Sequence, residues 1–143
     1  MSQIRVVAWA LITMEDAVLV QCDEEESFYR LPGGTVEVGE TASEACSREL
    51  REEYSLEVSV KELVAVYENV DFDEVALIHR CDLPDDNLVQ ELLHREAPGV
   101  RLILKTLRQL QDLPTAPPRL PDLLAASPNG TQHLVSRHGE LHD

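Results

Sequence analysis

Leu31 to Leu56 reads LPGGTVEVGETASEACSRELREEYSL, and this stretch decides the fold. Pro32 and the pair Gly33-Gly34 mark a tight loop, where glycine allows positive φ or a close approach of backbone to a ligand. Thr41 and Glu44 then stand at capping-box spacing, each able to satisfy a backbone N–H of the other. Good helix formers run on through Tyr54, and Ala42, Ala45, Cys46, Leu50 and Tyr54 fall on one apolar stripe. A helix from Thr41 to Tyr54, docked through that stripe, is the expected structure.

The opposite face of this helix is unusual. Glu49 precedes Glu52 by three residues and Glu53 by four, which puts the side chains about 5–6 Å apart on one surface. Like charges there repel by roughly 0.2–0.5 kcal/mol per pair, and late in a helix the macrodipole disfavours anions as well. A glutamate-rich face is by default a solvated one, and a glycine pair is by default a turn. Together they suit a hard divalent cation, which takes oxygen ligands, keeps waters and shares itself with substrate phosphates. Glu40, just past Gly39, can reach either such a cation or the helix N–H groups. Arg48 can pair with Glu44 or Glu52 at i,i+4 spacing.

Counted from Gly34, the stretch reads G-x5-E-x7-R-E-L-x-E-E-x-S-L. It resembles the Nudix box, with Ser55 where the family pattern has its second glycine. The resemblance implies an α/β fold, an α/β/α sandwich with a mixed β-sheet. It implies hydrolysis of a nucleoside diphosphate linked to another group, by water attack on phosphorus with Mg²⁺, or Mn²⁺ in its place. Glu49, Glu52 and Glu53 match the family's metal-binding and catalytic glutamates, and the Gly33 carbonyl matches a further ligand. Arg48 matches the arginine that orients those glutamates, and Glu40 the first box glutamate; Gly34 opens the box. Some members use a later glutamate, and Glu96 and then Glu91 are the candidates here. Ser55 falls where a left-handed C-cap is common, at a cost of roughly 1–2 kcal/mol for a non-glycine residue. It touches the helix end and no ligand.

The remainder of the chain sets bounds. At 143 residues there is room for one domain, taken as 1–126, with 127–143 expected as a mobile C-terminal tail. Net charge is −15, from 27 acidic and 12 basic residues, which excludes long nucleic acid held by counterion release. A small nucleotide that brings its own metal remains compatible. Cys22, Cys46 and Cys81 lie in apolar segments without metal-ligand spacing, so buried free thiols and a reducing cytoplasm are expected. No secretory leader pattern opens the chain. The longest apolar run, Val6 to Ile12, is far short of the roughly 20 residues of a membrane span, so no membrane partner is expected. A homodimer is left open.

Along the chain, Gln3–Thr13 and Ala17–Cys22 read as strands joined by a Met14–Asp16 turn, an opening hairpin. Ser27–Leu31 reads as a short strand, in which core packing is the better reading of Phe28, Tyr29 and Arg30 than a base or sugar contact. Leu56–Asn69 is strand material broken near Lys61-Glu62, and Glu74–Leu83 is another strand, with His79 read as an ordinary sheet histidine. Asn87–Arg95 fits a short helix. Val100–Leu104 fits a strand, Lys105–Leu110 starts a helix, Leu113–Pro121 is irregular, and Leu120–Ala126 is a last helix. His133, His138 and His142 read as tail residues and not as metal ligands. The functional expectation is a pyrophosphohydrolase acting on a (d)NTP or another small nucleotide derivative. The alternative is a non-catalytic nucleotide-binding module of the same fold.

Overall fold

Arg5–Leu11 forms β1, a strand whose last five residues are buried. Val7, Trp9 and Leu11 enter one apolar cluster, while Ala8, Ala10 and the following Ile12 enter another. An unbroken apolar run of this kind suits a strand covered on both faces. The computed structural model describes residues 3–23, 25, 27–85, 96–97, 100–125, 130–138 and 140–142.

β1 lies between β5 (Gly33–Thr35), antiparallel to it, and β7 (Glu74–Asp82), parallel to it. Beyond β7 come β6 (Ser59–Asn69), β11 (Gln132–Arg137) and β12 (Glu140–His142), which completes a mixed sheet in the order β12-β11-β6-β7-β1-β5. A second sheet runs β10 (Thr115–Ala116), β4 (Tyr29–Arg30), β3 (Ala17–Cys22), β9 (Val100–Thr106), β8 (Glu96–Ala97), with β2 (Thr13–Met14) beside β3.

Helix α1 (Ala42–Tyr54) packs on the Ala8/Ala10 face of β1, burying Ala45, Cys46, Leu50 and Tyr54. The alanines keep that face flat, so the helix lies close to the sheet. Leu110 of α2 (Leu107–Leu110) and Leu120 and Leu123 of α3 (Leu120–Ala125) join the Trp9 face. Helices thus cover both faces of the first sheet, as expected of an α/β/α sandwich.

Two strand expectations differ from the structure. β1 and β3 do not form a hairpin; the chain switches sheets after Ile12, and β2 makes the short hairpin with β3. Both edges of β1 are already taken, by β5 and β7. Residues 132–137, expected in a free tail, form β11 in parallel register with β6, Leu134 opposite Tyr67. Leu134 and Ser136 are buried on alternate positions. The suspected break near Lys61-Glu62 is a register shift against β7, between Val60 and Leu63. The Asn87–Arg95 helix falls outside the described residues.

Both ends of α1 behave as their residues dictate. The Thr41–Glu44 capping box is complete, at 3.0 and 3.1 Å. Ser55 adopts φ 52°, ψ 36°, the left-handed region. Its N–H donates to the Arg51 carbonyl and that of Leu56 to the Leu50 carbonyl, closing the helix. Ser55→Gly is therefore expected to stabilise the chain by roughly 1 kcal/mol, seen as a higher urea midpoint at unchanged slope.

Candidate functional site

The candidate site lies where β5 crosses α1. Gly34 pairs with Ala8 of β1 and faces the helix. A Cβ built on Gly34 would stand 2.4 Å from the Glu49 Cδ, so the Glu49 carboxylate occupies the space a side chain would need. Gly33, at φ 146°, is tighter still, because a Cβ there would meet the Ala8 carbonyl oxygen at 2.0 Å. The two glycines thus serve different ends. Gly33 lets β5 reach β1, and Gly34 lets Glu49 reach under the loop. Gly34→Ala clashes only with the movable end of a side chain, so the fold is expected to survive. The displaced carboxylate should cost roughly 10–100-fold in activity, measured as kcat/KM beside a thermal melt.

Arg48 organises the carboxylates. Its Nε and Nη2 donate to the two oxygens of Glu40, at 2.7 and 3.0 Å. Nη1 donates to Glu49 at 2.9 Å and Glu52 at 3.3 Å, and Nη2 also to the Thr35 carbonyl at 3.0 Å. One guanidinium thereby ties helix α1 to β5 and to the loop before the helix. Glu40 goes to this arginine and to the Glu37 N–H, and not to the helix N–H groups. The Arg48 hydrogen bonds hold its carboxyl below the ordinary glutamate range, aided by the backbone of Glu37. Arg48 is itself pushed up, chiefly by Glu40 and also by Glu49. Glu44 stays in the cap and does not pair with Arg48.

The helix carboxylates are not equivalent. The Glu49 side chain is 16% exposed and that of Glu52 61%. Glu53 is exposed as a residue, yet partial burial of its carboxyl and the neighbouring Glu49 raise its pKa, with Glu52 adding to the rise and Arg30 opposing it. Because the residue stays open to solvent, the neighbouring charges are the firmer cause. Glu53 follows Glu49 by four residues, so the two side chains lie on one face of the helix.

These groups offer hard oxygen donors, which suits Mg²⁺ or Mn²⁺. Among the described residues no group of three or more His, Cys, Asp or Glu side chains stands together in a way that could hold a metal ion. Of the later acids, Glu91 lies outside the described residues. Glu96 begins β8, and its side chain likewise lies outside them. His79 sits in β7 opposite Ala10 and Leu63, half-buried, its pKa lowered by burial. His133 pairs with Glu68, and the His138 backbone N–H donates to Asp71.

A family model described as the NUDIX domain matches residues 1–125. The chain belongs to the Nudix family. Members of this family generally use a divalent metal and act on small nucleotides. This Nudix chain is 35% identical over 75 residues to a MutT-like protein of Streptomyces ambofaciens, covering 52% of this chain and 49% of that one. It is 51% identical over 45 residues to an ADP-ribose pyrophosphatase of Methanocaldococcus jannaschii, covering 32% of this chain and 27% of that one. The matches therefore span about half and about a quarter of those two relatives. Its fold matches the crystal structure of a NUDIX hydrolase from Nitrosomonas europaea, with a TM-score of 0.65 at 20% identity over 95% of this chain and 81% of that one. Among the described residues no helix is long and apolar enough to cross a membrane.

Arg30, read from the sequence as a core residue, also stands near the helix carboxylates. Arg30 lies within electrostatic reach of Glu53 and Tyr54 and stacks its guanidinium 5.7 Å from the centre of the Trp9 ring. The signal was its position three residues before Gly33, but nothing local says which face of so short a strand it takes.

Proposed function

We propose that this Nudix chain is a Mg²⁺-dependent pyrophosphohydrolase, cutting the phosphoanhydride of a nucleoside diphosphate linked to another group. The observation that carries the reading is the Glu49 carboxylate held under Gly34 by Arg48, on the helix face that also bears Glu52 and Glu53. Glu49, Glu53 and the Gly33 carbonyl would hold the cation, with Glu52 as a further ligand or as proton acceptor. A divalent cation there supplies Lewis-acid neutralisation of the phosphoryl charge.

The chain's own groups supply the rest. Glu52 is the most open box carboxylate and makes only a long contact to Arg48. It takes the proton as the water oxygen bonds to phosphorus and the bridging P–O bond breaks, releasing the other phosphate as an anion. Arg48 keeps Glu49 and Glu40 from drifting apart. The hydrolase domain is read as residues 1–126 with the addition of β11 and β12, which extend its first sheet. A small nucleotide, a (d)NTP or a compact nucleoside diphosphate derivative, is the substrate class. The alternative, a binding module without turnover, has no use for four box glutamates and the arginine that bonds to three of them.

The test is a panel of (d)NTPs, ADP-ribose, nucleotide sugars and diadenosine polyphosphates, with products resolved by chromatography, in Mg²⁺ and in EDTA. Metal-dependent cleavage of one class supports the reading and names the substrate. Ligand-induced thermal shifts without cleavage would favour the binding module.

A further inference from the structure

Cations are scarce in this chain, and several of those described are spent on carboxylates. Arg5 pairs with Glu74, Arg51 with Glu57, Arg80 with Glu62 and Asp82, and Arg119 with Asp122. Arg30 is different. Its guanidinium rests over the Trp9 ring, and its Nε is buried with no hydrogen-bond partner among the described residues. A buried, unsatisfied N–H on a charged group is costly unless a ligand completes it.

Register fixes where this group points. Arg30 in β4 stands opposite Gln21 in β3, and directly opposed residues of an antiparallel pair share a face. The Gln21 side-chain oxygen accepts a hydrogen bond from the Tyr54 hydroxyl at 3.1 Å, at the C-terminal end of α1. Arg30 therefore projects from the face that meets the end of the carboxylate-bearing helix. No ion pair between Arg30 and Glu53 forms among the described residues. A planar donor fork is thus held on an aromatic plate beside an acidic helix face, with its Nε unpaired among the described residues. Guanidinium matches phosphate oxygens two at a time, and a polyanionic substrate is the partner this arrangement lacks.

We propose that Arg30, supported on Trp9, donates to a phosphate of the substrate's diphosphate, beside the phosphoryl group that the box carboxylates serve. The proposal rests on the hydrolase reading above and assigns a substrate contact outside the box. The box glutamates gather positive charge through a cation, and Arg30 adds a fixed one from the second sheet.

The test compares wild type, Arg30→Met and Arg30→Lys in steady-state kinetics. The probe is the compound wild type cleaves best in the panel, in Mg²⁺ at low and high NaCl, with a thermal melt of each protein. Arg30→Met keeps an unbranched stem against Trp9 and deletes the charge. KM is expected to rise at least about tenfold with a smaller fall in kcat and little change in melting temperature. Arg30→Lys should fall between the two. KM of wild type should climb with salt more steeply than that of Arg30→Met, because a charge–charge contact has been removed. An unchanged KM in Arg30→Met overturns the proposal, as does a KM rise matched by a lower melting temperature with no change in salt dependence. If Arg30→Met does not fold, Arg30→Lys decides, and a wild-type KM there overturns the bidentate contact. Wild type that cleaves nothing sinks the hydrolase reading and this contact with it. Wild type that turns over, with Arg30→Met its equal, sinks this contact alone.

Discussion

Glu53→Gln is expected to lower turnover on the order of 10²–10⁴-fold while the folded state melts no lower than wild type. The glutamine has nearly the same shape, so packing is unchanged. What disappears is the charge. Glu53 lies one helical turn from Glu49, whose charge helps to raise the Glu53 pKa. Without a cation that proximity is a liability, and like-charge pairs at this spacing cost roughly 0.2–0.5 kcal/mol. The amide removes the repulsion and cannot replace the carboxylate as a ligand for a hard cation. Activity and stability should therefore move in different directions. The check is kcat/KM in Mg²⁺ beside a circular-dichroism melt in EDTA. Loss of both together would make Glu53 a structural residue.

Arg48→Ala should lose activity by roughly 10–100-fold and, unlike Glu53→Gln, lose several degrees of melting temperature. Arg48 is the only positive charge placed among Glu40, Glu49 and Glu52 by a hydrogen bond among the described residues. Removing it leaves three carboxylates to repel one another and frees the Thr35 carbonyl from the helix. The Glu49 carboxylate is then positioned by Gly34 alone. Arg48→Lys restores one charge but not the fork that grips both Glu40 oxygens. It should recover most of the melting temperature and less of the activity. Equal recovery of both would reduce Arg48 to a charge balance.

The helix and its carboxylates were legible because their determinants are local. Thr41 and Glu44 cap each other three residues apart, Ser55 ends the helix in the conformation a glycine would take, and Glu49, Glu52 and Glu53 meet by helical spacing. The glycine pair was legible as a close approach, but its two targets, the Ala8 carbonyl and the Glu49 carboxylate, were not. What stayed hidden depends on pairing across long stretches of chain. β11 has little apolar content and is a strand because β6 offers it an edge. β1 and β3 look like neighbours in sequence and belong to different sheets. Arg30 sits in a two-residue strand, and its face is set by Gln21 across the sheet. The proposed Arg30 contact falls in this second group, which is why the box is visible in the sequence and the substrate is not.

The central claim is that the α1 carboxylates make this chain a metal-dependent phosphoanhydride hydrolase. Its most direct test is turnover of the best panel compound in Mg²⁺, after addition of EDTA, and after Mg²⁺ is restored in excess. The account predicts a rate that vanishes in EDTA and returns with Mg²⁺. A rate indifferent to EDTA, or no cleavage of any panel compound in Mg²⁺ or Mn²⁺, would contradict it.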